Sequence, residues 1–160
     1  MENELLYGTT FDIADNVLNE DFVLPIGKAK IQRQGTDITL VSHSIGVGFC
    51  TGAAEILAKE GISCEIVNLR SIRPLDIDTV NESVKKTHHM ITVEGGFPMY
   101  GVGAEVCAQV IEGPAFHYLD APIIRIAGAD VPMPYAKSLE MRATPQAEDV
   151  VKAVKKVLNR

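Results

Sequence analysis

"TVEGGFPMYGVGAEV", residues 92–106, joins an apolar run ending in Glu94 to a helix-like segment through Gly95, Gly96, Gly101 and Gly103. A glycine-rich link between strand and helix is where an α/β protein would hold a phosphate. The spacing argues against it here. A dinucleotide fingerprint, G-x-G-x-x-G, counted from Gly101 would need a third glycine where Val106 stands. A Walker loop would end in Gly-Lys-Ser/Thr, whereas Gly103 is followed by Ala104 and Glu105. Glu105 also falls in the first helical turn, where a carboxylate suits the helix dipole but competes with a bound phosphate. The stretch is expected to turn a strand into a helix and to bind no nucleotide.

The same alternation continues on either side. "KAKIQRQGTDITLVSHS" reads as two strands around a turn at Gln34–Asp37. "VGFCTGAAEILAKEG" has Phe49, Ala53, Ile56 and Leu57 at helical spacing, with Gly61 as a stop. "SCEIVNL" predicts a strand, and Asp76 is placed to cap a helix that carries Ile77, Val80 and Val84 on one face. "HMITVE" and "PIIRIAG" predict two more strands, separated by the helix "GAEVCAQVIEG". Thr144-Pro145 opens a closing helix through Val150, Val151, Val154 and Leu158, with Pro145 expected at the first helical position. Several of the strands are continuously apolar, which calls for a mostly parallel sheet covered by helices on both faces. The segment 28–33 reaches its neighbour through a short turn, so it is expected to be an antiparallel edge strand.

Residues 1–27 have no clean period. Leu5, Leu6, Tyr7, Phe11, Phe22 and Leu24 are interspersed with Glu2, Glu4, Asp12, Asp15, Glu20 and Asp21. This predicts an extended arm with one helical turn, whose apolar side chains need a surface to lie on.

Composition narrows the functions. The 160 residues are 46% hydrophobic and 22% charged, as in one globular domain with a sizeable core. A net charge of −6, without any basic run, speaks against nucleic acid. No apolar stretch approaches the roughly 20 residues of a membrane span, and "MENELLYG" lacks the apolar region of a signal peptide. Cys50, Cys64 and Cys107 are odd in number and far apart, a pattern of buried thiols rather than of disulfides or a zinc site.

Ligands of open parallel sheets sit beyond the carboxyl ends of the strands. Those ends carry "SHS" (42–44), "RSIRPLD" (70–76), "EGG" (94–96) and "GADVPMPY" (128–135). His43 lacks a nucleophile placed nearby in sequence, and Ser42 and Ser44 lack the G-x-S-x-G elbow. His88-His89 lacks further ligands at metal spacing. Arg70 and Arg73 could grip an anion, or could pair with Asp76, Glu94 or Asp130 at a domain or subunit contact, which the acidic balance favours. No complete catalytic, cofactor-binding or metal-binding set is expected.

The motifs "ENELLYG", "LPIGKAKI", "NLRSIRPLD", "VKKTHHMITVEGGFPMYGVGAEV", "LDAPIIRIAGADVPMPYAK" and "VKAVKKVLN" together resemble the beta subunits of pyruvate dehydrogenase of the mitochondrial type. The resemblance spans the whole chain but only the second half of such a subunit, so Met1 is expected to be a start codon on a cut-out domain. It implies a transketolase C-terminal-like fold over 28–160, a three-layer α/β/α sandwich on a five-stranded, mostly parallel sheet with one antiparallel edge strand. Residues 1–27 become the interdomain arm. It implies thiamin diphosphate and magnesium in the intact enzyme, held between the alpha subunit and the other half of the beta subunit and not by this chain. Implied partners are the alpha subunit, a second beta subunit and the basic subunit-binding domain of dihydrolipoyl acetyltransferase. The implied location is the mitochondrial matrix, or the cytoplasm for a bacterial source. Docking of the acetyltransferase is assigned, by resemblance, to Asp120 and the carboxylate of Arg160. Arg70, Arg73, Glu94, Gly95, Gly96, Gly101, Gly103 and Asp130 are candidates for the assembly surface. The branched-chain 2-oxo acid dehydrogenase beta subunit shares the fold, but "ADVPMPYAK" favours the pyruvate enzyme. A free-standing nucleotide-binding module and a pure scaffold are the remaining alternatives.

Overall fold

The computed structural model describes residues 3–160; Met1 and Glu2, the first residues of the expected arm, lie outside them. Five strands, β1 (Lys30–Arg33), β2 (Ile38–Ser42), β3 (Cys64–Asn68), β4 (Met90–Val93) and β5 (Ile124–Ile126), form one sheet in the order β1-β3-β2-β4-β5. All pairings are parallel except β1 with β3, so β1 is the antiparallel edge strand that the sequence predicts. Helices α1 (Ile45–Ala58), α2 (Ile77–Thr87), α3 (Val102–Glu112), α4 (Lys137–Ala143) and α5 (Ala147–Val157) complete the fold.

Side chains alternate across the strands and divide the interior into two cores. Ile38, Leu40, Cys64, Ile66, Ile91 and Val93 face α1 and α5, where they meet Cys50, Ala53, Leu57, Val150 and Val154. Val41, Val67 and Met90 face α2 and α3, against Val80, Val84, Val106 and Val110. That is the three-layer sandwich.

The supposed hairpin around Gln34–Asp37 is not one. β1 pairs with β3, while both edges of β2 are taken by the parallel strands β3 and β4. To reach β2, the chain crosses the start of β3, and Thr36 and Asp37 donate their backbone N–H groups to the Ser63 carbonyl at 3.1 and 2.9 Å. Gly35 sits at the crossing. A Cβ there would lie 2.2 Å from the Cys64 carbonyl carbon and from the Glu65 nitrogen. A short turn signal therefore marks a crossover, because β2 is worth more at the centre of the sheet, fully buried, than in a hairpin.

Beneath the crossing lies a polar seam on the α2 face. Glu65 is 2% exposed. Its carboxylate accepts from Ser83 Oγ at 2.6 Å and from the Gly35 amide at 3.2 Å, and it pairs with Lys86. Ser83 and Thr87 both meet the Thr39 hydroxyl at 2.7 Å. A buried charge is tolerated only when paired and hydrogen-bonded in this way.

Two helix readings shift. The buried face of α1 is Gly46, Cys50, Ala53, Ala54 and Leu57, with Phe49 half-buried and Ile56 exposed. Pro145 stands just before α5 rather than inside it. Gln146 is the N-cap, and Asp149 accepts the Gln146 amide at 3.1 Å. α4 has no counterpart in the sequence reading, since it is short and exposed except at Ala143. Asp76 does cap α2: it accepts from the Thr79 amide at 3.4 Å and hydroxyl at 2.8 Å, and from the Ala29 amide at 2.9 Å. Burial pushes the Asp76 carboxyl up, but those donors and Lys28 outweigh it and hold the group below the usual carboxylate range. Residues 3–27 form two 3-10 turns, Glu4–Leu6 and Asp15–Leu18, with extended chain around them; Leu5, Tyr7, Phe11, Leu18 and Val23 are exposed.

A Gly35→Ala substitution is expected to destabilise the domain by about 3 kcal/mol, because the atoms it meets are backbone and cannot rotate away. Urea unfolding followed by circular dichroism measures it; a loss below about 0.5 kcal/mol would mean that the crossover is free to move.

Candidate functional site

The strand order reverses between β2 and β4: the chain leaves β2 for α1 on one face and β4 for α3 on the other. Such a crevice is where open α/β sheets bind ligands. Here the protein fills it. Glu94, 5% exposed at the end of β4, turns its carboxylate onto the first turn of α3. Oε2 accepts from the Val102 amide and Oε1 from the Gly103 amide, both at 2.9 Å. These are the donors a phosphate would use. The carboxylate also occupies the space that side chains at the two glycines would need: a Cβ on Gly101 would lie 2.6 Å from Oε1, and one on Gly103 would lie 2.8 Å from it. The glycines of the opening stretch admit a protein carboxylate where a ligand phosphate was conceivable.

What remains of the crevice is a cavity of about 10 Å³ between Ser42, His43, Thr92, Glu94 and Gly103. That is room for about one water molecule. Ser42 is spoken for, its hydroxyl donating to the Val93 carbonyl at 2.7 Å. Burial holds His43 below the ordinary histidine range, opposed by the nearby Glu94 carboxylate. Burial also pushes the Cys50 thiol up to about 12 and the Cys64 thiol up to about 11, and raises Cys107, so no thiol here is an activated nucleophile. Among the described residues no group of three His, Cys, Asp or Glu side chains could hold a metal ion. A diphosphate with its magnesium does not fit this cavity.

The other rim candidates separate. Arg70, in a left-handed backbone conformation, donates from Nε to the Lys28 carbonyl at 3.0 Å and from Nη2 to the Ala29 carbonyl at 3.3 Å. It clamps the entry to β1 and pairs with none of Asp76, Glu94 or Asp130. Arg73 and Asp130 are exposed, as are Gly95 and Gly96. Also exposed in the segments that follow β4 and β5 are Phe97, Met99, Tyr100, Val131, Met133 and Tyr135, with Tyr100 97% and Tyr135 104% exposed. An open groove of about 730 Å³ continues this apolar rim past Ile45, Phe49 and Met141 to Leu5 and Tyr7 of the arm.

Asp120 and Arg160 lie at the opposite, amino end of the sheet. They share one open groove with Thr36, Asp37, His88 and His89. The Asp120 amide donates to the His88 carbonyl at 3.0 Å, and the Arg160 amide to the Lys155 carbonyl at 2.9 Å. In the sequence, His88 and His89 show only that they lack further ligands at metal spacing. Their proximity to Asp120, 31 residues on, needs the β4–β5 pairing to become visible.

Replacing Glu94 by Ala is expected to cost about 2–4 kcal/mol by leaving the part-buried Val102 amide and the buried Gly103 amide without an acceptor. Thermal unfolding and amide exchange at Val102 and Gly103 measure it; unchanged protection at those two amides would show that another group caps the helix.

The transketolase C-terminal domain family matches residues 27–150. The chain is 58% identical over 159 residues to the mitochondrial pyruvate dehydrogenase E1 component subunit beta of Bos taurus, covering 99% of this chain and 44% of that protein. It is 59% identical to the Drosophila melanogaster protein of the same name over 158 residues, 99% and 43% of the two chains. With subunit beta-1 of Oryza sativa subsp. japonica the figures are 58% over 160 residues, 100% and 42%. The chain thus spans less than half the length of these relatives. Among solved structures, a split-gene transketolase described as an inactive beta4 tetramer superposes with a TM-score of 0.75 at 25% identity, over 88% of this chain and 45% of that one. With its one antiparallel edge strand, its two helical layers and the match over 27–150, this chain belongs to the transketolase C-terminal domain family.

Proposed function

We propose that the chain is the C-terminal assembly and docking domain of a thiamin-diphosphate-dependent pyruvate dehydrogenase component. That component decarboxylates pyruvate and acetylates the lipoyl group of dihydrolipoyl acetyltransferase. The observation that carries the reading is 58–59% identity, over 99% of the chain, with mitochondrial beta subunits from animals; rice subunits match equally well. Those names favour the pyruvate enzyme over its branched-chain relative, and the mitochondrial matrix as location.

In this reading the chain does no chemistry itself. Its rim amides are capped by Glu94 and its thiols are held protonated. Thiamin diphosphate and magnesium belong to the intact enzyme, between the alpha subunit and the other half of the beta subunit. The apolar rim of Phe97, Met99, Tyr100, Met133 and Tyr135, with the exposed arm, suits contact with the alpha subunit and a second beta subunit. Exposed apolar patches larger than a few hundred Å² are unusual on a protein that works alone. Gly95, Gly96, Arg73 and Asp130 lie on that rim and stay candidates for its contacts. Glu94, Gly101 and Gly103 contribute by holding it in shape.

The subunit-binding domain of dihydrolipoyl acetyltransferase is assigned to the amino-end groove, where Asp120 is exposed beside Arg160. A basic partner finds a carboxylate there that accepts charge-assisted hydrogen bonds. Complementary charge also speeds encounter.

Asp120→Lys is expected to weaken docking by about 2–5 kcal/mol, the range for breaking a close interfacial charge pair, with little change in thermal stability. Surface plasmon resonance against the subunit-binding domain decides it; unchanged affinity places the docking site elsewhere on the chain. In calorimetry with thiamin diphosphate and magnesium, the 160-residue chain is expected to show no binding. Micromolar affinity would overturn the non-catalytic reading.

A further inference from the structure

We infer that His88 and His89 form part of the docking groove as hydrogen-bond acceptors and make docking sensitive to protons; this rests on the docking reading above. Both residues line the groove that contains Asp120 and Arg160. His88 Nδ1 lies 2.8 Å from the Tyr118 carbonyl oxygen, and His89 Nδ1 lies 3.0 Å from that of Thr87. A carbonyl oxygen only accepts, so each Nδ1 carries a proton and donates it. The neutral ring then has its free lone pair on Nε2. Among the described residues neither Nε2 has a protein partner, and neither is sealed away from water.

At neutral pH the groove wall thus offers two fixed acceptors beside a carboxylate. The hydrogen bond from the Asp120 amide to the His88 carbonyl holds the two residues' backbones together on this rim. The partner that fits is a cation with several donors, such as a guanidinium, which can satisfy a carboxylate and an imidazole lone pair together. An anionic or apolar partner would leave those acceptors unmet.

A second proton on either ring reverses the preference. Nε2 becomes a donor, and the imidazolium both repels the incoming cation and competes with it for Asp120. The other charges around the rings do not cancel this. Asp37 is occupied by the Ser63 amide at 2.8 Å and the Thr36 hydroxyl at 3.1 Å. Lys85 of α2, near Tyr118, is bonded to Glu82 at 2.7 Å. Arg160 adds its own guanidinium and the main-chain carboxylate that this chain carries there. Asp120, exposed in the same groove, has no side-chain hydrogen bond or ion pair among the described residues.

The test measures the affinity of the 160-residue chain for the subunit-binding domain of dihydrolipoyl acetyltransferase between about pH 7.5 and about pH 5.8, where histidine changes charge. Wild type is expected to lose about tenfold across that range. A His88→Gln, His89→Gln double variant keeps uncharged acceptors and is expected to change less than about twofold, so any titration within the partner shows up as its residual slope. Each single Gln variant should fall between the two. A flat wild-type profile, or a slope that persists unchanged in the double variant, overturns the inference while leaving docking at Asp120 intact. If Asp120→Lys binds like wild type at about pH 7.5, the docking reading fails, and this inference fails with it.

Discussion

The buried carboxylate of Glu94 is the contact on which the carboxyl-end rim depends. It ends β4, accepts the first free amides of α3, and fills the space at Gly101 and Gly103. A helix N-terminus carries partial positive charge and unsatisfied donors, so it needs an acceptor. In a nucleotide-binding sheet that acceptor is the ligand. Here it is covalently part of the strand, which closes the crevice and frees the loop 95–100 to project outward. The exposed Phe97, Met99 and Tyr100 are a consequence of that closure.

A second buried carboxylate, Glu65, performs the complementary task at the other end of the sheet. It joins the β1–β2 crossover through the Gly35 amide to α2 through Ser83 and Lys86. Neither carboxylate is a strong source of net stability, since burying a charge costs about what its partners return. Their value is in register. A slip of β3 by one residue would carry Glu65 into the apolar core of Ile38, Leu40 and Leu57, where no donor could meet it.

The character of the surface divides along the strand axis. The carboxyl ends present an apolar surface suited to subunit contact, and the amino ends present the polar groove of Asp120, His88 and His89. The general rule that ligands sit at the carboxyl ends of parallel strands points to the first surface only. The second forms because the turns entering β2, β4 and β5 come together on one rim, and turn residues there keep their polar groups in water.

The layer order, the parallel sheet and the edge character of β1 were legible in the sequence. They follow from local periodicity: apolar runs in β2, β3 and β4, helical spacing between them, and the Asp76 cap. The failure of the glycine loop to match a phosphate motif was legible too, from Val106 and Ala104 alone. What stood in the way of that motif was not. Glu94 meets Gly103 across a turn whose shape no local pattern encodes. The pairing of β1 with β3, the crossing at Gly35, the anchoring of Arg70 on Lys28 and Ala29, and the union of His88 with Asp120 all join residues far apart along the chain. Periodicity reports which face of an element is buried. Which buried carboxylate meets which amide was decided only when the strands took their places beside one another, because hydrogen bonds depend on distance in space and not along the chain.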